Sequence, residues 1–354
     1  MTAEVSSLDR ATESYDGPVI EADGLTKHFP MESGLVSSLL GGETRYVKAV
    51  DGVDLHIDSG ETVGLVGESG CGKSTLGEVL IGLQEPTAGS IRFFGQELTG
   101  DVPRDRMRKF RQNVQMVFQD PYESTNPRFT IGQWIREPLE IHDVPNKRER
   151  VLTALERAEL SPGEAYLDQY PHQLSGGQRQ RVSIARAIVL EPKFIVADEP
   201  VSMLDVSVRA SVLDTLQSLG RELDMAVLYI SHDLSLIKQM CDRTMVMYLG
   251  KVVESGPTDD LIGDPKHPYS QALVDAVPVP KAGNRVNKPP LEGEPPDPVD
   301  LPEGCNFRPR CPYATDVCYD EPTLDAWSAD GGARHASCHR VGDFDPAHIR
   351  ASDE

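Results

Sequence analysis

Short apolar runs alternate with helix-length segments from about residue 17 to residue 262. Five of the runs have the length and the branched apolar content of β-strands, namely TVGLVG, VQMVFQ, KFIVAD, AVLYIS and RTMVMYL. Strands that alternate with helices are typical of a parallel sheet with helices on its faces. The pattern therefore predicts an α/β fold.

A mostly helical insert is predicted inside this region, at about residues 101–190. Its clearest helix is KRERVLTALERAEL, in which apolar residues recur at helical spacing from Val151 to Ala158. Pro162 and Gly163 follow this pattern, and both residues favour a helix end.

The composition changes after residue 262. Residues 278–302 are rich in proline, which is typical of an extended linker, and four of the six cysteines follow. We therefore predict a C-terminal extension over residues 263–345 that contains this linker. Three further segments are expected outside the packed core: the polar tails 1–16 and 346–354, and Met31–Arg45, a loop or short amphipathic element.

Charge and hydropathy narrow the classes of function. The 354 residues include 56 acidic and 35 basic side chains, a formal charge of -21 that argues against nonspecific binding to nucleic acid or an anionic membrane. The excess of acidic side chains is typical of a soluble protein. Alternatively, it indicates a salt-rich cytoplasm, in which salt screens the repulsion between acidic side chains. The N-terminus lacks a secretory signal and no apolar run approaches the ~20 residues of a membrane span, so a membrane role is expected only through a partner.

The segment GESGCGKST joins the apolar run ETVGLV to the helix-compatible LGEVLIGL and satisfies the motif G-x-x-x-x-G-K-S/T. In such a loop backbone N–H groups converge on phosphates, the lysine reaches the β and γ phosphates, and the hydroxyl ligates Mg²⁺. A chance glycine turn is the alternative, which the flanking strand and helix disfavour. The predicted nucleotide-binding residues are Gly67, Glu68, Ser69, Gly70, Cys71, Gly72, Lys73, Ser74 and Thr75.

A carboxylate pair, Asp198 and Glu199, ends the apolar run FIVAD. An acidic pair often only marks the end of a strand. Together with a phosphate loop, however, the two carboxylates can have different roles in hydrolysis. Asp198 is expected to order the metal and its water, and Glu199 to polarise the attacking water.

The stretch LSGGQRQRVSIARAI, residues 174–188, resembles the signature of the ABC-transporter ATPases. The rest of that family's pattern is present as VFQDP, ADEP, SMLD and YISHDLS. The resemblance implies a P-loop NTPase of the ABC type, with a mostly parallel sheet, an antiparallel β portion and a helical insert. It also implies hydrolysis of ATP with Mg²⁺.

In this family the signature of one subunit closes over the ATP held by another subunit. Ser175, Gly176, Gly177 and Gln178 are therefore expected to act on a partner's ATP. A flexible turn is the alternative for SGG, disfavoured because QRQRV opens a helix. Asp205, at the end of SMLD, is also assigned to the nucleotide site by the resemblance.

The resemblance assigns two further polar residues. His232 corresponds to the switch histidine on the γ-phosphate, and a satisfied strand-end histidine is the alternative. Gln119 corresponds to a catalytic glutamine that ligates magnesium and links the nucleotide to the helical insert. One departure from the family pattern is Met203, where the family usually has alanine. We expect this change to affect packing near the dimer interface rather than activity.

Two aromatic residues compete to stack on the adenine. Phe29 in LTKHF matches the place where the family puts an aromatic ring, an interaction of roughly 1–3 kcal/mol. Tyr46 is the alternative, because the Met31–Arg45 segment interrupts the spacing by which the family's aromatic residue is located.

The tail resembles the C-terminal extension of oligopeptide/dipeptide importer ATPases in DPKHPYSQALVDAVPVP, GCNFRPRCPYATDVC and ASCHR. The segments LTKHFPMESG, RYVKAVDGVDL and NPRFTIGQWIREPL resemble the second ATPase subunit of those systems. This implies an ATPase on the cytoplasmic face, with two transmembrane permeases, a paralogous ATPase and, indirectly, an extracellular solute-binding protein. Alternative cargoes are nickel chelates and oligosaccharides. Alternative functions are a soluble ATPase acting on nucleic acid or ribosomes, and a non-hydrolysing redox or iron sensor.

The cysteines of the tail are Cys305, Cys311, Cys318 and Cys338, separated by 5, 6 and 19 residues. Cytoplasmic chains seldom keep disulfides, and the C-x-x-C pairs of structural zinc sites are lacking. Four thiolates can hold an iron–sulfur cluster, and the resemblance implies a 4Fe–4S cluster here. Zinc, free thiols and disulfides remain the alternatives.

Overall fold

The computed structural model describes residues 15–31, 45–121, 125–277, 293–326 and 334–341. Most of the predicted N-terminal tail, of the Met31–Arg45 segment and of the proline-rich linker lies outside these residues, as does the C-terminal tail. Within the described part of the chain, no helix is both long enough and apolar enough to cross a membrane.

Twelve strands and nine α-helices are present in the described residues. The strands are β1 Ile20–Pro30, β2 Tyr46–Ile57, β3 Thr62–Val66, β4 Ala88–Phe93, β5 Gln96–Glu97, β6 Val114–Val117, β7 Phe194–Asp198, β8 Ala226–Ser231, β9 Arg243–Tyr248, β10 Lys251–Pro257, β11 Asp325–Ala326 and β12 His335–Ala336. The helices are α1 Lys73–Leu80, α2 Arg104–Asn113, α3 Ile131–Ile141, α4 Lys147–Arg157, α5 Gly176–Ile188, α6 Val206–Glu222, α7 Leu234–Met240, α8 Thr258–Gly263 and α9 Pro268–Asp275.

The chain forms two compact units, and several elements pass from one to the other. The first unit draws on Met1–Leu25, Asp54–Val63 and Gly77–Ile230, as far as these are described. The second draws on Thr26–Val53, Gly64–Leu76 and the described residues from Ser231 onwards.

The first unit contains neighbouring parallel strands in the order β8–β7–β6, and helices α2 to α6. Val114 pairs with Phe194, which in turn pairs with Ala226, in parallel register. β7 is buried along its whole length, as expected for a strand covered on both faces. A second sheet, ordered β2–β1–β4–β5, supplies the expected antiparallel portion through β4 and β5.

All five predicted strands are confirmed as β3, β6, β7, β8 and β9. The helix predicted in KRERVLTALERAEL is α4, and its buried residues Val151, Ala154 and Leu155 lie on one face. The predicted insert at 101–190 contains four helices, α2 to α5, together with β6. The α/β prediction is confirmed because the apolar runs are strands and the segments between them are mainly helices.

The second unit contains strands in the order β11–β12–β10–β9–β3. β9 and β10 form an antiparallel pair, and β10 pairs antiparallel with β12, where Glu254 lies opposite Ala336. Residues of the predicted extension therefore add strands to the sheet that leads into the phosphate loop. The extension and the loop belong to the same unit.

Candidate functional site

The phosphate loop lies between the end of β3 and the start of α1, in the second unit. A Cβ at Gly67 would lie 2.2 Å from the carbonyl oxygen of Met247. Gly72 has φ +106°, and a Cβ there would lie 1.8 Å from the carbonyl oxygen of Ala49. Only glycine fits either position, since backbone atoms cannot move aside. The loop is therefore held close to its neighbours, while Ser69, Gly70 and Ser74 remain exposed.

Lys73 is the buried charge of this loop. Its side chain is 6% exposed, and Nζ donates to the carbonyl oxygens of Gly67 at 2.8 Å and Glu68 at 2.9 Å. These two hydrogen bonds hold the ammonium group at the loop. Cys71 is buried beside it, and burial raises the pKa of its thiol, so it is a protonated packing residue.

The extension contacts the loop at Glu68. Arg310 donates to both carboxylate oxygens of Glu68, at 2.7 Å and 2.9 Å. The backbone N–H of Glu68 donates to the hydroxyl of Tyr269 at 2.8 Å. Sequence reasoning missed Arg310, Tyr269 and Tyr248. The one available signal was an arginine inside a cysteine-rich segment without an assigned role.

The other predicted residues of the second unit lie at strand ends. His232 is exposed and immediately follows β8, in the turn that leads into α7. Phe29 is half-buried near the end of β1, with Lys27 Nζ 5.0 Å from its ring centroid, and Tyr46 is exposed at the start of β2. The backbone joins these two strand ends, since Met31 N–H donates to Arg45 O at 2.9 Å.

In the first unit the carboxylate pair follows β7. Asp198 is 7% exposed, whereas Glu199 is half-buried and has φ +43°, in the left-handed region that L-residues seldom adopt. A backbone bond from Glu199 N–H to Ile230 O at 3.0 Å holds this conformation. Gln119 Nε2 donates to Glu199 Oε2 at 3.4 Å, so the structure brings these two predicted residues together across 80 positions of sequence.

The signature residues form the start of α5, also in the first unit. Ser175 caps the helix by accepting from Gln178 N–H at 3.3 Å, and the Gln178 side chain accepts from Ser175 N–H at 2.9 Å. This reciprocal capping box leaves Ser175 exposed at the positive end of a thirteen-residue helix. Asp205 caps α6 in the same way, accepting from Val208 N–H at 3.1 Å.

Met203, the departure from the family pattern, has a side chain 66% exposed, and the neighbouring Val206 is 81% exposed. Neither residue is part of the packed interior. The methionine therefore alters a surface rather than a core.

All six cysteines lie in the described residues and are free thiols, so no disulfide is present. Cys305, Cys311, Cys318 and Cys338 line one cavity, next to His267 and Phe307. Burial raises the pKa of Cys305, raises that of Cys311 to about 12 and raises that of Cys338 to about 11. The thiols of Cys305, Cys311 and Cys338 are therefore protonated at neutral pH, and a metal would have to displace their protons to bind.

The four cysteines match an iron–sulfur cluster only in the number and type of donors, because such clusters take four cysteine ligands. Within the described ranges, no three histidine, cysteine, aspartate or glutamate side chains are grouped so that they could hold a metal ion. Cys241 is buried elsewhere, and burial raises its pKa strongly, as expected for a core thiol.

For magnesium, the donors available are oxygen atoms. Ser74 presents an exposed hydroxyl at the start of α1, and Asp198 presents a carboxylate at the end of β7. Oxygen ligands are those that magnesium prefers. The donor chemistry of each unit therefore fits the metal.

Two family models match the chain. The model of the ABC transporter family matches residues 50–202, and that of the oligopeptide/dipeptide transporter C-terminal region matches residues 253–318. The first match includes the phosphate loop, the signature and the carboxylate pair. The second includes α9 and three of the four cavity cysteines.

Similar proteins extend over nearly the whole chain. The oligopeptide transport ATP-binding protein AppF of Bacillus subtilis is 43% identical over 93% of this chain and 99% of its own length. The oligopeptide transport ATP-binding protein OppF of Escherichia coli is 44% identical over 91% of this chain and 96% of its own length. The dipeptide transport ATP-binding protein DppF of Haemophilus influenzae is 44% identical over 87% and 93%, respectively.

Solved structures agree with this fold. The dimeric post-hydrolysis state of the ATP-binding cassette MJ0796, bound to ADP and Pi, has a TM-score of 0.57 and 30% identity over 68% of this chain and 98% of its own. The structure of cbiO1 from Clostridium perfringens, part of the ABC transporter complex cbiONQ, has a TM-score of 0.59 and 27% identity over 70% of this chain and 92% of its own.

Proposed function

Because this chain belongs to the ATP-binding proteins of the ABC transporter family, we propose that it hydrolyses ATP to energise an importer of oligopeptides or dipeptides. The phosphate loop carries the proposal, since Gly67 and Gly72 are confined by backbone contacts and Lys73 is buried against the loop. The peptide cargo is supported by the match to the oligopeptide/dipeptide transporter C-terminal region and by relatives that share almost the full length.

The phosphates of ATP are assigned to the second unit. The N–H groups of residues 67–75 converge on them, Lys73 leaves the loop carbonyls for the β and γ phosphates, and Ser74 supplies a hydroxyl to magnesium. When bound, magnesium neutralises charge that develops on the phosphoryl oxygens. His232 contacts the γ-phosphate, and Phe29 stacks on the adenine, with Tyr46 as its competitor.

The attacking water is assigned to Glu199. Its carboxylate accepts a proton as the water attacks, while Asp198 and Gln119 hold the metal and its water shell. The hydrogen bond between Gln119 and Glu199 supports this pairing. The left-handed backbone of Glu199 also supports it, because conformations of this kind cluster at functional sites.

The signature is assigned to the ATP of a partner subunit. Ser175, with the N–H groups of Gly176 and Gly177, forms the positive end of α5, and such a helix start favours a phosphate. Gln178 keeps Ser175 in its capping conformation, and Asp205 lies at the start of α6. The dimeric state of the similar cassette MJ0796 supports two subunits closing on two nucleotides.

The proposed assembly contains a paralogous ATPase and two transmembrane permeases, with a solute-binding protein acting from outside. The chain would then lie at the cytoplasmic face of the membrane. The regions proposed are an ABC ATPase domain at 17–262, including the helical insert, and an importer-type extension at 263–345.

A 4Fe–4S cluster is the second cofactor of the proposal, held by Cys305, Cys311, Cys318 and Cys338. Four thiols around one cavity support it. Iron and acid-labile sulfide in anaerobically purified protein would support the cluster, whereas zinc without sulfide would contradict it.

The transport role is tested by isolating the complex. A tagged Glu199→Gln form is expressed in the native host, trapped with ATP and purified from gently solubilised membranes. Mass spectrometry is expected to identify two permeases and an ATPase paralogue. Ribosomal or DNA-repair proteins without any permease would contradict the proposal.

A further inference from the structure

A short turn in the extension reaches from the cysteine cavity to the phosphate loop. The turn Arg308–Arg310 lies between two cavity cysteines, Cys305 and Cys311. Two backbone hydrogen bonds join Arg308, its first residue, to both cysteines, from Arg308 N–H to Cys305 O at 3.0 Å and from Cys311 N–H to Arg308 O at 3.2 Å. A displacement of either cysteine therefore displaces the turn.

The turn is anchored by an aromatic cluster inside the same unit. Phe307 is 1% exposed, and its ring centroid lies 5.3 Å from that of Tyr248 and 5.5 Å from that of Tyr269. The two tyrosine rings lie 4.7 Å apart. Buried aromatic rings of this kind hold a fixed geometry, so the turn is a rigid connection.

Arg310 projects from this turn onto Glu68. Its side chain is 5% exposed and that of Glu68 is 29% exposed, which removes much of the screening that weakens surface ion pairs. The contact is bidentate, and Arg310 also donates to the hydroxyl of Tyr248 at 3.3 Å. Tyr269 accepts the backbone N–H of Glu68, so the extension holds both the side chain and the main chain of one loop residue.

We propose that Arg310 is a positioning residue for nucleotide binding, and that its ion pair with Glu68 transmits displacements of the cavity cysteines to the phosphate loop. The inference rests on the proposed ATP site and adds a contact that regulates the affinity of that site for ATP. A phosphate loop binds by presenting N–H groups in a fixed arrangement, and a loop ordered before binding gives up less conformational entropy. Loss of the ion pair therefore weakens ATP binding without removing any ATP contact.

The test measures the Kd for Mg-ATP by competition with a fluorescent nucleotide, using the full-length chain. Arg310→Gln and Glu68→Gln are each expected to raise Kd about tenfold, because a hydrogen-bonded charge pair is lost. The double variant is expected to match the single variants. Arg310→Lys should recover part of the affinity, since a lysine replaces the bidentate contact by one bond.

Arg308→Gln is the matched control. It removes the same charge from the same turn, but Arg308 lies over the ring of Tyr319, 3.6 Å from its centroid, and not on the loop. Its Kd is expected to equal that of the wild type. Circular dichroism and the melting temperature without nucleotide establish that each variant is folded, and Glu68→Gln tests the pair without altering the extension.

A substitution in the cysteine cavity tests whether the cavity affects ATP binding through Arg310. Cys311→Ala is expected to raise Kd in the wild-type background and to have no further effect in Arg310→Gln. A wild-type Kd in Arg310→Gln, an unchanged Kd in Cys311→Ala, or a full Cys311→Ala effect without Arg310 would overturn the inference. Failure of the wild-type chain to bind Mg-ATP would instead refute the proposed function.

Discussion

Gly177 allows a quantitative test of the signature's packing. A Cβ at this residue would lie 2.3 Å from Cγ1 of Val208, a β-branched side chain in the first turns of α6 that has few alternative rotamers. Inserting a methyl group into such a contact costs about 1–3 kcal/mol. The better helix propensity of alanine returns up to about 1 kcal/mol. We therefore expect Gly177→Ala to lower the free energy of unfolding by ~1–2 kcal/mol.

Gly176 is the matched control for this prediction. A Cβ there meets only Leu204 Cδ2, at 3.6 Å, which is ordinary contact. Urea unfolding should therefore show Gly176→Ala at or above the wild-type stability. In the Val208→Ala background, Gly177→Ala should cost nothing further. Equal losses for the two alanine substitutions, or an undiminished loss without the Val208 side chain, would refute the packing argument.

Three further predictions follow from the geometry. Ser175→Ala removes a capping box and should destabilise the chain by about 1 kcal/mol in urea unfolding; an unchanged midpoint would contradict the cap. His267 is fully buried, which lowers its pKa to about 3, so protonation of the unfolded state lowers stability as pH falls below the ordinary histidine pKa of ~6.5. Between pH 7 and pH 5 the wild type should lose about 2 kcal/mol more than His267→Asn, and equal losses would contradict this. Metal-free Cys311 and Cys338, with pKa values of about 12 and about 11, should react with iodoacetamide at pH 8 more slowly than in the unfolded chain; equal rates would contradict their burial.

The sequence predicted those features that depend on neighbouring residues. The five strands, the α4 helix and the phosphate loop each show their own periodicity or spacing, and all are present. The strand–loop–helix context of Lys73 was readable because its flanking segments are adjacent in sequence.

The sequence did not predict contacts between residues that are far apart along the chain. Arg310 and Glu68 are 242 positions apart, and nothing in the local composition of either segment indicates the other. Gln119 was assigned through family resemblance, and its hydrogen bond to Glu199 depends on how the parallel strands β6 and β7 end. The cysteine spacings were compatible with an iron–sulfur cluster, a zinc ion, free thiols or disulfides. The structure has free thiols around one cavity, which excludes the disulfides.

Steady-state turnover of Mg-ATP is the decisive measurement for the role of Glu199. We expect the wild-type chain, assembled with its partners, to hydrolyse ATP. Glu199→Gln should bind ATP with wild-type affinity but turn over at least about a hundredfold more slowly, because it lacks the general base. Lys73→Ala should instead lose affinity. Rapid hydrolysis by Glu199→Gln, measured as phosphate release at saturating Mg-ATP, would contradict the assignment of the catalytic carboxylate.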